Sequence, residues 1–256
     1  MSRPNRIMIV GACVITLAGW LSFAQEPAET PVPLTAEPSH HQVLVNADVR
    51  VFRIEVAPGA ATRVHEHTND FIWFPLGDAD IMDHPRDGAE APNKVADGAI
   101  TFRPHGIVHA ISNNRDVPFR NMTIEFLHPQ TGGRNQCGQV IRDQPLDCPS
   151  SAGESRKKGQ SMIPQLKTDQ TQVSLLILDP DARFTFKASK RPPVLVALEG
   201  TDAEALVEMR ITGASGKGKR PLHGGDAMEV PPGMALELHN GGSVPARFAV
   251  LEFRSP

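Results

Sequence analysis

The chain has 256 residues, of which 40% are hydrophobic and 21% charged, with a formal net charge of −3 at neutral pH. That length admits one large domain or two small ones. The mild acidity removes the electrostatic reason to expect DNA or RNA as a partner, and the short basic runs at 156–158 and 217–220 sit among Gly and Ser as solvated loop faces.

At the N-terminus, Arg3 and Arg6 precede an apolar run over 7–23, and Ser22-Phe23-Ala24 offers a small-x-small cleavage site. This predicts a signal peptide over 1–24 and a protein exported to the periplasm or beyond the cell. The run is broken by Gly11 and Gly19 and falls short of the roughly 20 residues a bilayer span needs, so a retained anchor is the lesser reading and no stable membrane insertion follows cleavage. Removing 1–24 takes two basic residues and no acid, so Lys+Arg falls from 26 to 24 against 29 acids, a net of −5. Two of the three cysteines would remain, Cys137 and Cys148. An even count in an oxidising compartment, in a Pro- and Gly-bearing loop with no His or Lys placed to activate a thiol, argues for a disulfide and against a thiol nucleophile.

Residues 25–41 are rich in Pro, Glu, Ala and Thr and read as a flexible leader. From Gln42 the character changes to short β-rich runs. Over 49–56, Arg50, Phe52, Ile54 and Val56 fall on one face, opposite Val51, Arg53 and Glu55. Further strands are expected from Val64 and over 71–76, 98–102, 107–112 and 119–127. The pattern dissolves into polar and turn residues over 129–172, read as a linker that holds the two cysteines. A second β-rich series follows at 173–178, 183–187, 194–198, 205–211, 227–230, 235–238 and 247–253. No helical period extends beyond two turns, so the chain reads as an all-β unit present twice, over 42–128 and 173–256.

In the first copy Gly59 precedes His65-Glu66-His67, with Asp70 and Gly77 beyond. Alternation along a strand puts His65 and His67 on one face, where two imidazoles can bind one metal in cis. Gly98, Pro104, Gly106, His109 and Asn113 form a second spaced set, in which the Pro104-His105-Gly106 turn would aim His109 from a facing strand. Three matched histidines favour a metal over three unrelated barrel histidines. The second copy repeats Gly225, Pro231, Gly233 and Asn240 but has Leu236 in place of the histidine, and no histidine occurs over 129–222. That copy is expected to be metal-free.

These two spaced sets resemble the two motifs of the cupin superfamily, G-x5-H-x-H-x(3,4)-E-x6-G and G-x5-P-x-G-x2-H-x3-N. The second is matched at every fixed position from Gly98 to Asn113. The first is matched at Gly59, His65, His67 and Gly77 but has only Asp70, one residue early, in place of the glutamate. The resemblance spans nearly all of the chain beyond the leader and implies a bicupin: two tandem antiparallel β-barrels of jelly-roll type.

It implies one divalent transition metal (Fe, Mn, Ni, Cu, Zn or Co) held by His65, His67 and His109. Asp70 is left open as fourth ligand, catalytic base or turn-capping carboxylate. Phe102, Ile111 and Trp73 are the expected substrate-pocket residues, with Ile100 sharing the parity of Phe102. The implied activity is metal-dependent oxidation or dioxygenation of a small oxygenated molecule, by analogy with cupin dioxygenases and decarboxylases. The alternative is a non-catalytic periplasmic binder of a small ligand or metal. Exposed sheet edges would suit a homodimer.

Overall fold

In the computed structural model the described residues are 30–148, 159–199, 205–210, 217–230 and 232–254. The signal segment read over 1–24, the basic run at 156–158 and Pro231 lie outside them. The N-terminal half contains β1 (Val32–Pro33), a 3-10 turn (Leu34–Ala36), β2 (His40–Val45), β3 (Val49–Val56), β4 (His65–His67) and β5 (Phe71–Pro75). It continues through β6 (Ala79–Pro85), β7 (Ala91–Val95), β8 (Thr101–Arg103), β9 (Ile107–Asn113) and β10 (Phe119–Phe126). The C-terminal half contains β11 (Arg134–Asn135), β12 (Gln160–Lys167), β13 (Thr171–Leu178), β14 (Arg183–Phe186) and β15 (Val194–Ala197). It ends with β16 (Ala205–Arg210), β17 (Lys217–Leu222), β18 (Ala227–Glu229), β19 (Leu236–Asn240) and β20 (Ala246–Phe253). Among the described residues no helix is long and apolar enough to cross a membrane.

These strands make four sheets, ordered β1-β4-β9-β6-β7, β2-β3-β10-β5-β8, β11-β12-β13-β20-β15-β18 and β14-β19-β16-β17. Side-chain alternation sorts their apolar residues into three cores. Phe52, Ile54, Val56, Phe71 and Trp73 fill the first sandwich, and Leu176, Leu178, Leu195, Phe248 and Leu238 fill the second. The residues of opposite parity, Val51, Ile72, Phe74, Met122 and Phe126, meet Val173, Val194, Val196 and Leu251 in a third core between the sandwiches. The two inner sheets are thus buried on both faces, which is why β5 and β15 read as continuous apolar runs without alternation.

Polar groups close the junction. Arg247 pairs with Asp97 and donates to the Glu199 carbonyl, and Arg120 pairs with Glu199. Gly98, at φ +70, leaves no room for a Cβ, which would lie 2.6 Å from Leu198 Cδ2.

Three expectations need correction. The segment read as a flexible leader is folded from its first described residues: β1 pairs in parallel with β4, and Leu34 is buried in the first core. Its prolines do not prevent this, because β1 is an edge strand and Pro33 need not donate inward. The stretch read as linker supplies β11 and β12 to the edge of an inner sheet, with Leu166 in the shared core. Ile100 and Phe102 belong to that shared core as well, and not to the metal-side interior. Cys137 and Cys148 form the expected disulfide.

Because the third core joins both halves, truncating one of its largest side chains should weaken both. Phe126→Ala is expected to cost about 3–5 kcal/mol. Urea unfolding followed by Trp73 fluorescence and by far-UV circular dichroism should shift together. A loss confined to one probe would contradict a shared core.

Candidate metal centre

β4 and β9 are antiparallel neighbours, with His65 directly opposite His109 and His67 opposite Ile107. Pleating sends all three imidazoles to the interior of the first sandwich, while Glu66 between them faces water. His65 and His67 are 1% and 2% exposed. One nitrogen from each of the three histidines lies within 4.8 Å of the others, and His67 Nε2 is 3.3 Å from His109 Nε2.

The outer nitrogens fix which lone pairs face inward. His65 Nδ1 donates to the Arg63 carbonyl at 2.9 Å, and His109 Nδ1 donates to Asp83 Oδ1 at 2.8 Å, so each presents Nε2 as an acceptor. His67 Nδ1 is buried without a hydrogen-bond partner, and its ring stacks on Phe71 at a centroid distance of 3.9 Å. Inward lone pairs packed this closely repel one another unless a cation or a proton lies among them. The donor set therefore fits a divalent transition metal, with Asp83 and the Arg63 carbonyl orienting its ligands.

Electrostatics keep His65 and His67 neutral, the form that ligates. Burial, with the charges of His109 and His40, pushes His65 down to about 3. Burial and the neighbouring His109 and His65 also hold His67 well below its ordinary value. Burial opposes the charge of Asp83, but the hydrogen bond and charge of His109, with Arg103, outweigh it and hold the carboxyl below its usual range.

Asp70 does not join the cluster. Its Oδ1 accepts from the His105 amide at 2.9 Å and from His105 Nδ1 at 2.8 Å, and Oδ2 accepts from the Gln130 amide at 2.8 Å. Those bonds outweigh burial and hold its carboxyl low. Asp70 is placed as the turn-capping carboxylate, and the acid that touches the centre is Asp83. Trp73 and Ile111 line the cavity over the histidines, whereas Phe102 points away. A strand of three residues carries too little alternation to fix its parity, and the neighbouring Arg103 faces the cavity instead.

Two further elements escaped the sequence reading. The β6–β7 hairpin, whose only cue is the alternation of Ala79, Ile81 and Asp83, carries Asp83 and Asn93 to the cavity. The folded N-terminal arm brings His40 against His65, at a ring distance of 4.8 Å. Glu37 orients that ring: Oε2 accepts from His40 Nδ1 at 2.5 Å and from the Ser39 amide, while Oε1 accepts from the Arg63 amide. In the second sandwich, Leu236 and Leu238 occupy the corresponding face as buried apolar residues.

No family model matches the chain. The chain is 35% identical to beta-alanine degradation protein BauB of Pseudomonas aeruginosa over 68 residues, 27% of this chain and 70% of that protein. The salicylate 1,2-dioxygenase of Pseudaminobacter salicylatoxidans superposes with a TM-score of 0.55 at 13% identity, covering 83% of this chain and 75% of that one. The putative glyoxylate-induced protein of Pseudomonas aeruginosa superposes with a TM-score of 0.55 at 15% identity, covering 84% and 78%. The two structures share the fold with this chain.

Acid should destabilise the metal-free protein. Between pH 6.5, where an unfolded histidine titrates, and about 3, the unfolded chain holds a proton that folded His65 does not, so stability falls as pH falls. The depressed carboxyls of Glu37, Asp70 and Asp83 add to the loss at the lower end. Urea midpoints of metal-free protein should decline steadily from pH 6.5 to 4, and a flat profile would refute the neutral-imidazole assignment. Separately, Asp83→Asn should weaken metal affinity about 10–100-fold in chelator competition, with Asp70→Asn leaving it unchanged.

Proposed function

Because the chain belongs to the cupin superfamily, we propose that it is an exported metal-dependent oxidoreductase of dioxygenase-like type, acting on a small oxygenated molecule beside His65, His67 and His109. The observation that carries this reading is the convergence of three buried imidazoles, two of them oriented by hydrogen bonds, beside a cavity open to solvent. Three protein ligands leave coordination positions free, as chemistry requires and a structural metal site does not. A divalent transition metal bound there would supply Lewis-acid polarisation and, if redox-active, electron transfer to oxygen.

The protein's own residues supply orientation and exclusion of water. Asp83 holds the His109 ring in one tautomer, and Phe71 covers the face of His67. Trp73, Ile54, Val56, Ile81, Ile111 and Phe119 give the cavity an apolar lining, which favours desolvated binding of a small organic molecule. Likeness to the salicylate dioxygenase, whose structures include one with gentisate, supports a small-molecule ligand. The Cys137–Cys148 disulfide suits the oxidising compartment to which the N-terminal segment would direct the chain.

Elemental analysis of the purified protein should find about one equivalent of a transition metal per chain, reduced at least tenfold in His65→Ala. Oxygen uptake should accompany turnover of a member of an enediol, flavonol and dicarboxylate panel in wild type and vanish in the variant. Ligand-induced melting shifts without oxygen uptake or product would replace the enzymatic reading with a binding protein. Failure to bind any metal would remove the enzymatic reading.

A further inference from the structure

β8 is three residues long and pairs with β5 so that Arg103 lies opposite Phe71, and Phe71 in turn stacks on His67. Residues opposite each other across a ladder point to the same face. Arg103 therefore enters the interior that holds the three histidines, and it lines the cavity with Trp73, Ile111 and Asn93.

Among the described residues no hydrogen bond or ion pair engages its guanidinium. Two acids beside the histidine cluster are already committed. Asp83 accepts from His109, and Glu37, behind His40, accepts from His40, Ser39 and Arg63. The charge of Arg103 nevertheless acts on both His67 and Asp83, which places it within electrostatic range of the centre. An arginine facing a largely apolar cavity without a partner keeps five donors in a planar fork, a shape that matches a carboxylate bidentately.

We propose that Arg103 is the anion anchor of this cavity, binding the carboxylate of a small molecule whose apolar body lies over Trp73 and Ile111 beside His65, His67 and His109. The proposal deepens the enzymatic reading above and rests on it for the role of the histidines. The substrate class it names is a compact apolar carboxylate, in place of a neutral sugar or alcohol.

Benzoate and benzamide serve as a matched pair of probes with one body and different charge. Calorimetric titration of the full-length protein, zinc-loaded and metal-free, should give at least about tenfold tighter binding of benzoate, the size expected of a charged hydrogen-bonded contact. Arg103→Gln should erase that preference while zinc content stays at the wild-type level. Arg103→Lys should retain part of it, because a point charge replaces the fork. Equal binding of the two probes to wild type, binding of neither, or an unchanged preference in Arg103→Gln would each overturn the proposal. If Arg103→Gln does not fold, the wild-type preference and Arg103→Lys decide the matter. A benzoate preference in protein that takes up no metal would uphold the anchor and reject the metalloenzyme reading. Bound zinc without the preference would reject the anchor alone.

Discussion

The two inner sheets press their outer faces together, and the strands in them have no side left for water. This double burial constrains most of what the molecule can do. A strand with both faces buried must be apolar at every position, and its backbone polar groups must be satisfied within the ladder. β10 meets that demand only in part. Met122, Ile124 and Phe126 enter the shared core, while Asn121 and Thr123 turn to the cavity, bonded to each other. The histidine-bearing interior of the first sandwich therefore rests on a wall whose other side is oil-like. The histidines come from the opposite sheet, where Glu66 can alternate outward into water between them.

The parts of this arrangement legible in the sequence are those with enough repeats to reveal a period. His65, Glu66 and His67 alternate, β3 shows its two faces over eight residues, and the spacing from Gly98 to Asn113 predicts the strand that carries His109. The parts that were not legible are short or polar. β8 offers three residues, and a parity error of one exchanges Phe102 for Arg103, an apolar wall for a cation. Asp83 lies in a hairpin with few apolar residues, and its importance arises only when folding brings it to His109 across the ladder between β6 and β9. The arm carrying Glu37 and His40 has the composition of a disordered leader. Its order comes from docking against β4 and from the burial of Leu34, neither of which local composition encodes.

The residues shared by the two copies have architectural roles. Asn113 Nδ2 donates to the carbonyls of Val56 and Val117, and its Oδ1 accepts from the Arg115 amide. Asn240 does the same with Leu178, Val244 and Gly242. Gly98 admits Leu198 from the other sandwich, and Gly225 admits Leu76 and Arg53 in return. These positions pin a strand end or permit close approach at the junction, so they are needed whether or not a metal is bound. The copies differ at His109 and Leu236, where one fold holds a donor cluster and the other a hydrocarbon interior. Fold and chemistry are thus written in different residues of the same motif.

The reciprocal fit of Gly98 and Gly225 bears on any attempt to transplant the histidine-bearing half alone. Cut free, it would present Val51, Ile72, Phe74 and Met122 to solvent as one broad adhesive surface, prone to self-association. A minimal version would need those positions recoloured with polar side chains of strand-forming type, because in the intact chain the second half covers that face.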